Sequence, residues 1–252
     1  MKLVLSLTLC ISMLSFPCHA LAAPIKPLIG DEFVATYTAS KHGLGVATVR
    51  WQVAALGGRR FSIESVTQTK GLARLVRRST TLESSQWHLT DTQRVQPASY
   101  RYVRDDKPAR NTTIRFEWPQ SVAVSDVAGQ ENRLAVPPDA TDRLTLILAL
   151  MADLSTSRMR DEYQIAGRRS VKRVRVTAAE TVEIDTAIGP LGTQVVVQER
   201  LTAQGTPTGR VTRYWCAPTL GFLPVRVERI DGDEKLTLAI EAFARGPDTA
   251  TR

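Results

Sequence analysis

Apolar and polar residues take turns along most of this chain. Phe33, Ala35 and Tyr37 share one parity; Ala47, Val49, Trp51 and Val53 share another, with Thr48, Arg50 and Gln52 between them. A period of two puts alternate side chains on opposite faces of a strand, so each run predicts a strand with one dry face. The pattern recurs at Phe61 and Ile63, at Tyr100 and Tyr102, at Ile114, Phe116 and Trp118, and from Val122 and Val124. After Tyr163 it returns at Val174 and Val176, at Val182, Ile184 and Ile188, at Val195, Val197 and Leu201, and at Leu236, Leu238 and Ile240. Turn formers separate the runs: Gly57-Gly58, Asp105-Asp106-Lys107-Pro108, Gly189-Pro190-Leu191-Gly192, Gly205 to Gly209 and Asp231-Gly232-Asp233. The clearest hairpin spans Arg210 to Ile230, where Pro218-Thr219-Leu220-Gly221 folds Val211–Trp215 back onto Val225 and Val227. Leu72, Leu75 and Val76 fit a helical turn, but the strand character from Thr80 favours a strand with a bulge at Gly71.

One segment breaks the period. Leu144, Ile147, Leu148 and Met151 recur at helical spacing, and Leu146, Leu150 and Leu154 widen the apolar stripe almost all the way round. A helix that apolar is buried, and this one is too short to span a bilayer. Asp139 or Thr141 is positioned to cap its first turn. About ten to twelve strands and one helix predict a mainly β fold: a single antiparallel curved sheet, half-barrel or barrel, around one buried helix.

The first residues follow other rules. Lys2, an apolar run from Leu3 to Phe16 and the small-x-small Ala20-Leu21-Ala22 read as a secretory leader over residues 1–22, cut after Ala22. An uncleaved anchor would need a longer run, and Ser15-Phe16-Pro17 before Cys18 fits a lipoprotein signal badly. A linker over 23–30, one β-rich domain over 31–245 and a disordered tail over 246–252 complete the expected layout, with the periplasm as destination. Cleavage removes Cys10 and Cys18, leaving Cys216 alone as a small buried hydrophobe without a disulfide.

Of the 252 residues 43% are hydrophobic, enough for a substantial core, and the formal charge is +8, one less without Lys2. An exported basic chain can meet anionic lipid, lipopolysaccharide or acidic glycan. Export, and the lack of a basic surface interleaved with aromatics, argues against nucleic acid.

The sequence holds no strong reaction motif. His42 and His88 lack partners at zinc-ligand spacing, and neither a nucleophile elbow nor a phosphate-binding loop is present. No cofactor is expected. Asp105-Asp106 and Asp231 to Glu234 lie in turns, where paired carboxylates point into water rather than across a cleft. Two groups could bind. Tyr37, Trp51, Tyr100, Tyr102, Trp118 and Trp215 could line a pocket inside an open barrel, or simply fill its core. Arg169, Arg173 and Arg175 share a strand face and could pair with phosphates or uronates, or merely guard a wet edge.

The chain resembles a bacterial family known only as domain of unknown function 3108, over about Phe33 to Phe243. The resemblance rests on Phe33 to Tyr37 with Gly43 and Gly45, Gly71-Leu72 with Leu75, Glu83-Ser84, Pro97 and Tyr100-Arg101-Tyr102. It continues through Phe116-Glu117-Trp118, Asp142 ahead of Leu148-Ala149-Leu150, Glu180, Gly189 to Gly192, and Tyr214-Trp215 before Leu223-Pro224-Val225. Where the family commonly has an aspartate before the tryptophan, this chain has Glu117. The resemblance implies an exported, mostly antiparallel β protein of the envelope and no particular reaction. The leading expectation is therefore a non-enzymatic module for an apolar or amphipathic ligand or a partner protein. The alternatives are a module for an anionic envelope polymer, and a hydrolase of unrecognised type using Glu83 or Glu180.

Overall fold

The computed structural model describes residues 28–71 and 78–246. The expected leader, most of the expected linker, the tail beyond Gly246 and the ambiguous run after Gly71 lie outside the described residues. Fourteen strands follow in chain order: β1 (Phe33–Lys41), β2 (Leu44–Gly57), β3 (Arg60–Thr69), β4 (Thr80–Leu89), β5 (Val95–Arg104), β6 (Thr112–Glu117), β7 (Val122–Val127) and β8 (Gln130–Ala135). The helix α1 (Thr145–Ser155) comes next, then β9 (Glu162–Ala166), β10 (Val171–Thr186), β11 (Gly189–Leu201), β12 (Pro207–Ala217), β13 (Leu223–Asp231) and β14 (Glu234–Arg245). This exceeds the ten to twelve strands expected. The polar run Gln130–Ala135 has no buried residue, so β8 carries no apolar parity to read. Among the described residues no helix is long and apolar enough to cross a membrane.

All the strands form one antiparallel sheet in the order β8-β7-β6-β5-β4-β3-β2-β1-β14-β13-β12-β11-β10-β9. Each chain neighbour pairs with the next, except that β1 pairs β14 and the helix separates β8 from β9. The sheet curls until its two edges nearly meet. The segment before α1 runs along that seam: Thr141 bridges Ile165 in parallel, its amide donating to Gln164 and its carbonyl accepting from Ala166, both at 2.8 Å. Ser125 Oγ of β7, the strand next to the other edge, donates to the Arg168 carbonyl at 2.9 Å.

The concave face is filled. Phe33, Ala35, Tyr37 and Ala39 of β1 alternate buried with half-buried neighbours, as do Ala47, Val49, Trp51 and Val53 of β2. Against them pack Leu146, Leu148, Leu150 and Met151 of α1, none more than 3% exposed. Burying each such side chain is worth roughly 1.5–3 kcal/mol, which offsets the entropy of fixing a helix this short. The cap is Asp142, rather than Asp139 or Thr141. Its Oδ1 accepts the amides of Leu144 at 2.8 Å and Thr145 at 2.9 Å, while Thr145 Oγ1 accepts the Asp142 amide in return at 2.9 Å.

The two ends differ. At one, the β12–β13 turn holds Gly221 at φ +62°, with the amide of Gly221 bonded to Pro218 at 2.9 Å. Leu28 lies directly over it, so that a Cβ there would sit 2.5 Å from the Leu28 nitrogen. Phe61 stacks on Trp87 at 4.7 Å nearby in the sheet, and Trp87, Phe33, Leu28 and Leu223 are all buried. At the opposite end, marked by the β9–β10, β11–β12 and β13–β14 turns, inner-face positions are accessible and charged.

Candidate functional site

The N-terminus of α1 points toward that accessible end, and the polar groups collect around it. Ser85 of β4 donates to Asp142 Oδ2 at 2.6 Å. Burial pushes the Asp142 carboxyl up to about 6, against the opposing pull of the Ser85, Thr145 and Leu144 hydrogen bonds. Two residues before Ser85, on the same face of β4, Glu83 accepts the Tyr100 hydroxyl at 2.8 Å and lies 3.4 Å from the Arg143 guanidinium. Burial, then Glu83, raises the Tyr100 hydroxyl well above the ordinary phenol range. Arg143 is 61% accessible by its side chain although protein walls stand on both sides, as expected of a side chain reaching into a recess. Glu83 stabilises its charge from the β4–β5 wall, and Tyr214 of β12 faces it from the other.

The β10–β13 wall supplies more cations. Val174 is buried in the core, so Lys172, two residues away on β10, shares its inner face. Arg200 of β11 pairs with Val174, and Arg229 of β13 pairs with the buried Thr212 of β12. Arg210 lies two residues before Thr212 and bonds to Asp231, its neighbour across the strand pair. Four adjacent strands thus each present one inner-facing cation at the same end. Lys172 is depressed by burial first and then by Arg200, Arg143, Arg210 and Arg168; Arg229 is depressed by burial and then by Arg143 and Arg210. Among these cations half-buried apolar surface remains, at Tyr102, Val227 and Leu238.

The residues singled out from the sequence do not form one group. Tyr37 and Trp51 pack together in the core with ring centroids 4.7 Å apart, and the Tyr37 hydroxyl donates to the Pro224 carbonyl at 3.0 Å. Tyr100 and Tyr102 face the recess around Arg143. Trp118 lies in a short 3-10 turn, stacked on Phe116 and donating to the Pro97 carbonyl at 2.8 Å. Trp215 faces outward, with the Arg226 guanidinium 5.2 Å from its ring centroid. Arg173 and Arg175 also face outward; Arg173 lies 2.7 Å from Glu162 and Arg175 4.0 Å from the same carboxylate. Arg169 lies exposed in the β9–β10 turn. Glu83 faces inward and Glu180 lies on an exposed irregular stretch of β10, so the two carboxylates do not converge. Asp105 and Asp106 are used rather than free, accepting from the Thr80 amide and pairing with Arg104 respectively. Among the described residues no three metal-ligating side chains come together.

The inner cations were missed because they are scattered between positions 172 and 229. The signal that finds them is parity: Lys172 has the parity of Val174 and Val176, the dry face, not that of Arg173 and Arg175.

Two clefts lie on the outer side of the sheet. One of about 560 Å³ runs over β4–β8 past Gln86, Arg101, Arg115 and Glu131. The other, about 690 Å³, separates the β10–β11 tip at Asp185 and Thr186 from Arg226, Thr237 and Glu241. Neither includes the inner cations.

Residues 32–239 match the family model described as protein of unknown function DUF3108. The chain belongs to the DUF3108 family. No curated protein matches it. In solved structures, this DUF3108 chain is similar to a β-barrel-like protein of domain of unknown function DUF1849 from Brucella abortus. The TM-score is 0.57 at 10% identity, covering 86% of this chain and 98% of that one, a likeness of fold alone. Weaker overlaps, with TM-scores of 0.33 and 0.28, are found with a YmcC-like fold from Bacteroides fragilis and a LolA superfamily protein from Nitrosomonas europaea. Their identities are 9% and 11%; the first covers 85% of this chain and 96% of that one, the second 87% and 88%.

Proposed function

We infer that this DUF3108 protein is a non-enzymatic binding module of the bacterial envelope that takes an amphipathic ligand at the accessible end of its barrel. The observation that carries the reading is the change in the inner face along the barrel axis. Over most of its length that face is sealed by α1 and the aromatic core, leaving no role there for a long buried chain. At the accessible end it becomes half apolar, at Tyr102, Val227 and Leu238, and half charged, at Arg143, Lys172 and Arg229. A surface of that kind suits a ligand with a polar head and a modest apolar body. Its titratable groups serve structure: Asp142 caps the helix and Glu83 holds Tyr100 and Arg143. Export is supported by the leader pattern in residues 1–22.

The test is native mass spectrometry of protein purified from the periplasm, with a panel of amphiphiles followed by thermal shift. Co-purifying ligand, or a rise in Tm with amphiphiles that Tyr102→Ala reduces, is expected. An empty chain, with no shift across the panel, overturns the reading.

A further inference from the structure

We propose that the accessible end of the barrel is a binding site for clustered phosphate groups, built from Lys172, Arg200, Arg210 and Arg229 on four neighbouring strands and Arg143 beside the helix. The proposal deepens the amphipathic reading by naming the headgroup, and it rests on that reading only for the apolar part of the ligand.

Register carries it. The pairs Val174↔Arg200 and Thr212↔Arg229, with Lys172 and Arg210 two residues from their buried neighbours, fix all four strand cations on the inner face. Three carboxylates share the space and all are engaged: Asp231 by Arg210, Glu234 by Lys41, and Glu83 by Arg143 and Tyr100. Lys172, Arg200 and Arg229 form no ion pair among the described residues. Like charges on adjacent strands repel, and a recess with protein walls concentrates their field. The outer face solves the same problem differently: Arg173, Arg226 and Arg115 each have a carboxylate within 3 Å. The inner set is therefore left with charge that a ligand can neutralise.

The chemistry favours phosphate. Guanidinium forks match the oxygens of a phosphate bidentately, and a lysine amine adds a point charge. Strands lie about 4.8 Å apart, so β10 to β13 spans roughly 14 Å, too wide for one phosphate and suited to two or more.

The experiment titrates pyrophosphate, farnesyl diphosphate and farnesol against the mature chain by calorimetry at low and raised salt. It compares wild type with K172E/R229E and with the outer-face control R173E/R175E. Expected are salt-sensitive binding of both diphosphates, a loss of about tenfold or more in K172E/R229E, and no more than about a twofold change in R173E/R175E. Should the reversed pair fail to fold by circular dichroism, K172Q/R229Q replaces it, with a loss of about threefold or more expected. Absence of pyrophosphate binding, undiminished binding in the inner variant, or equal loss in the outer one overturns the site. Farnesyl diphosphate binding no tighter than pyrophosphate supports the phosphate site while defeating the amphipathic reading. Farnesol binding without pyrophosphate binding does the reverse.

Discussion

The two ends of the barrel have the same backbone plan and opposite side-chain chemistry. At the end sealed by the β12–β13 turn, Leu28 covers Gly221, and Phe33, Trp87 and Leu223 leave no accessible inner surface. At the other, β10 to β13 carry Lys172, Arg200, Arg210 and Arg229 on the inner face. The difference separates two tasks that one core cannot combine. Close packing stabilises but admits nothing, whereas a charged recess admits a ligand and holds its own charges at a cost in stability. Substitutions at the sealed end should therefore move stability and leave binding alone, and those at the charged end should do the opposite.

The sharpest case is Gly221→Ala. A left-handed backbone and a Cβ 2.5 Å from the Leu28 nitrogen combine strain with a clash against main chain. A loss of about 3 kcal/mol or more is expected by denaturant titration. A change under about 1 kcal/mol would mean that Leu28 does not seal this end. Next comes Asp142→Ala, which strands the two buried amides of Leu144 and Thr145, leaves the Ser85 hydroxyl only the Ser99 carbonyl, and should cost about 2 kcal/mol. Because α1 starts at the charged end, this variant asks whether that end also depends on helix anchoring.

Asp142 also sets a pH dependence. Its folded value of about 6 lies above the ordinary carboxylate range, so the folded chain holds an extra proton between about pH 4 and 6. Its contribution is fully present below that window and is lost as pH rises through about 6. Wild type should therefore gain Tm relative to Asp142→Asn as the pH is lowered from 7 to 4, and a difference that stays flat would show the carboxyl ionised throughout. Glu117, Glu228, Asp231 and Glu234 work in the other sense: paired with cations, they are held below the usual range, so their stabilisation is lost in acid. The smallest effect is expected from Lys172→Gln, which relieves repulsion by its arginine neighbours and should leave the free energy of unfolding unchanged or slightly raised, by under about 1 kcal/mol. A marked drop would show that Lys172 is part of the packing and would blur the contrast between the ends.

Alternation revealed most of the sheet because a face buried against α1 enforces it: Phe33 to Tyr37 and Ala47 to Val53 have the parity found in the barrel. The helix was legible from Leu144, Ile147, Leu148 and Met151, and its burial from the lack of a polar side. The polar edge strand β8 was not, since neither of its faces is dry. Nor was the cap at Asp142, because Asp139, Thr141 and Asp142 are chemically equivalent candidates until the seam fixes the chain path. The aromatic set was divided by turns and bulges that alternation does not report: Trp118 falls in a 3-10 turn and Trp215 on the outer face. The inner cations escaped notice because the assumption that charge means a wet face fails where the inner face is itself wet.

The seam has a kinetic meaning. Where β10 and β11 register eleven residue pairs, the seam holds one bridge, the two main-chain hydrogen bonds by which Thr141 joins β9, with Ser125 of β7 as a side-chain clasp. A cylinder joined that lightly unzips along one line before it melts, and the amides of Thr141 and Ala166 should exchange with deuterium ahead of those buried in β2 and β3. The wall can thus part beside the helix while the remaining strands keep their partners.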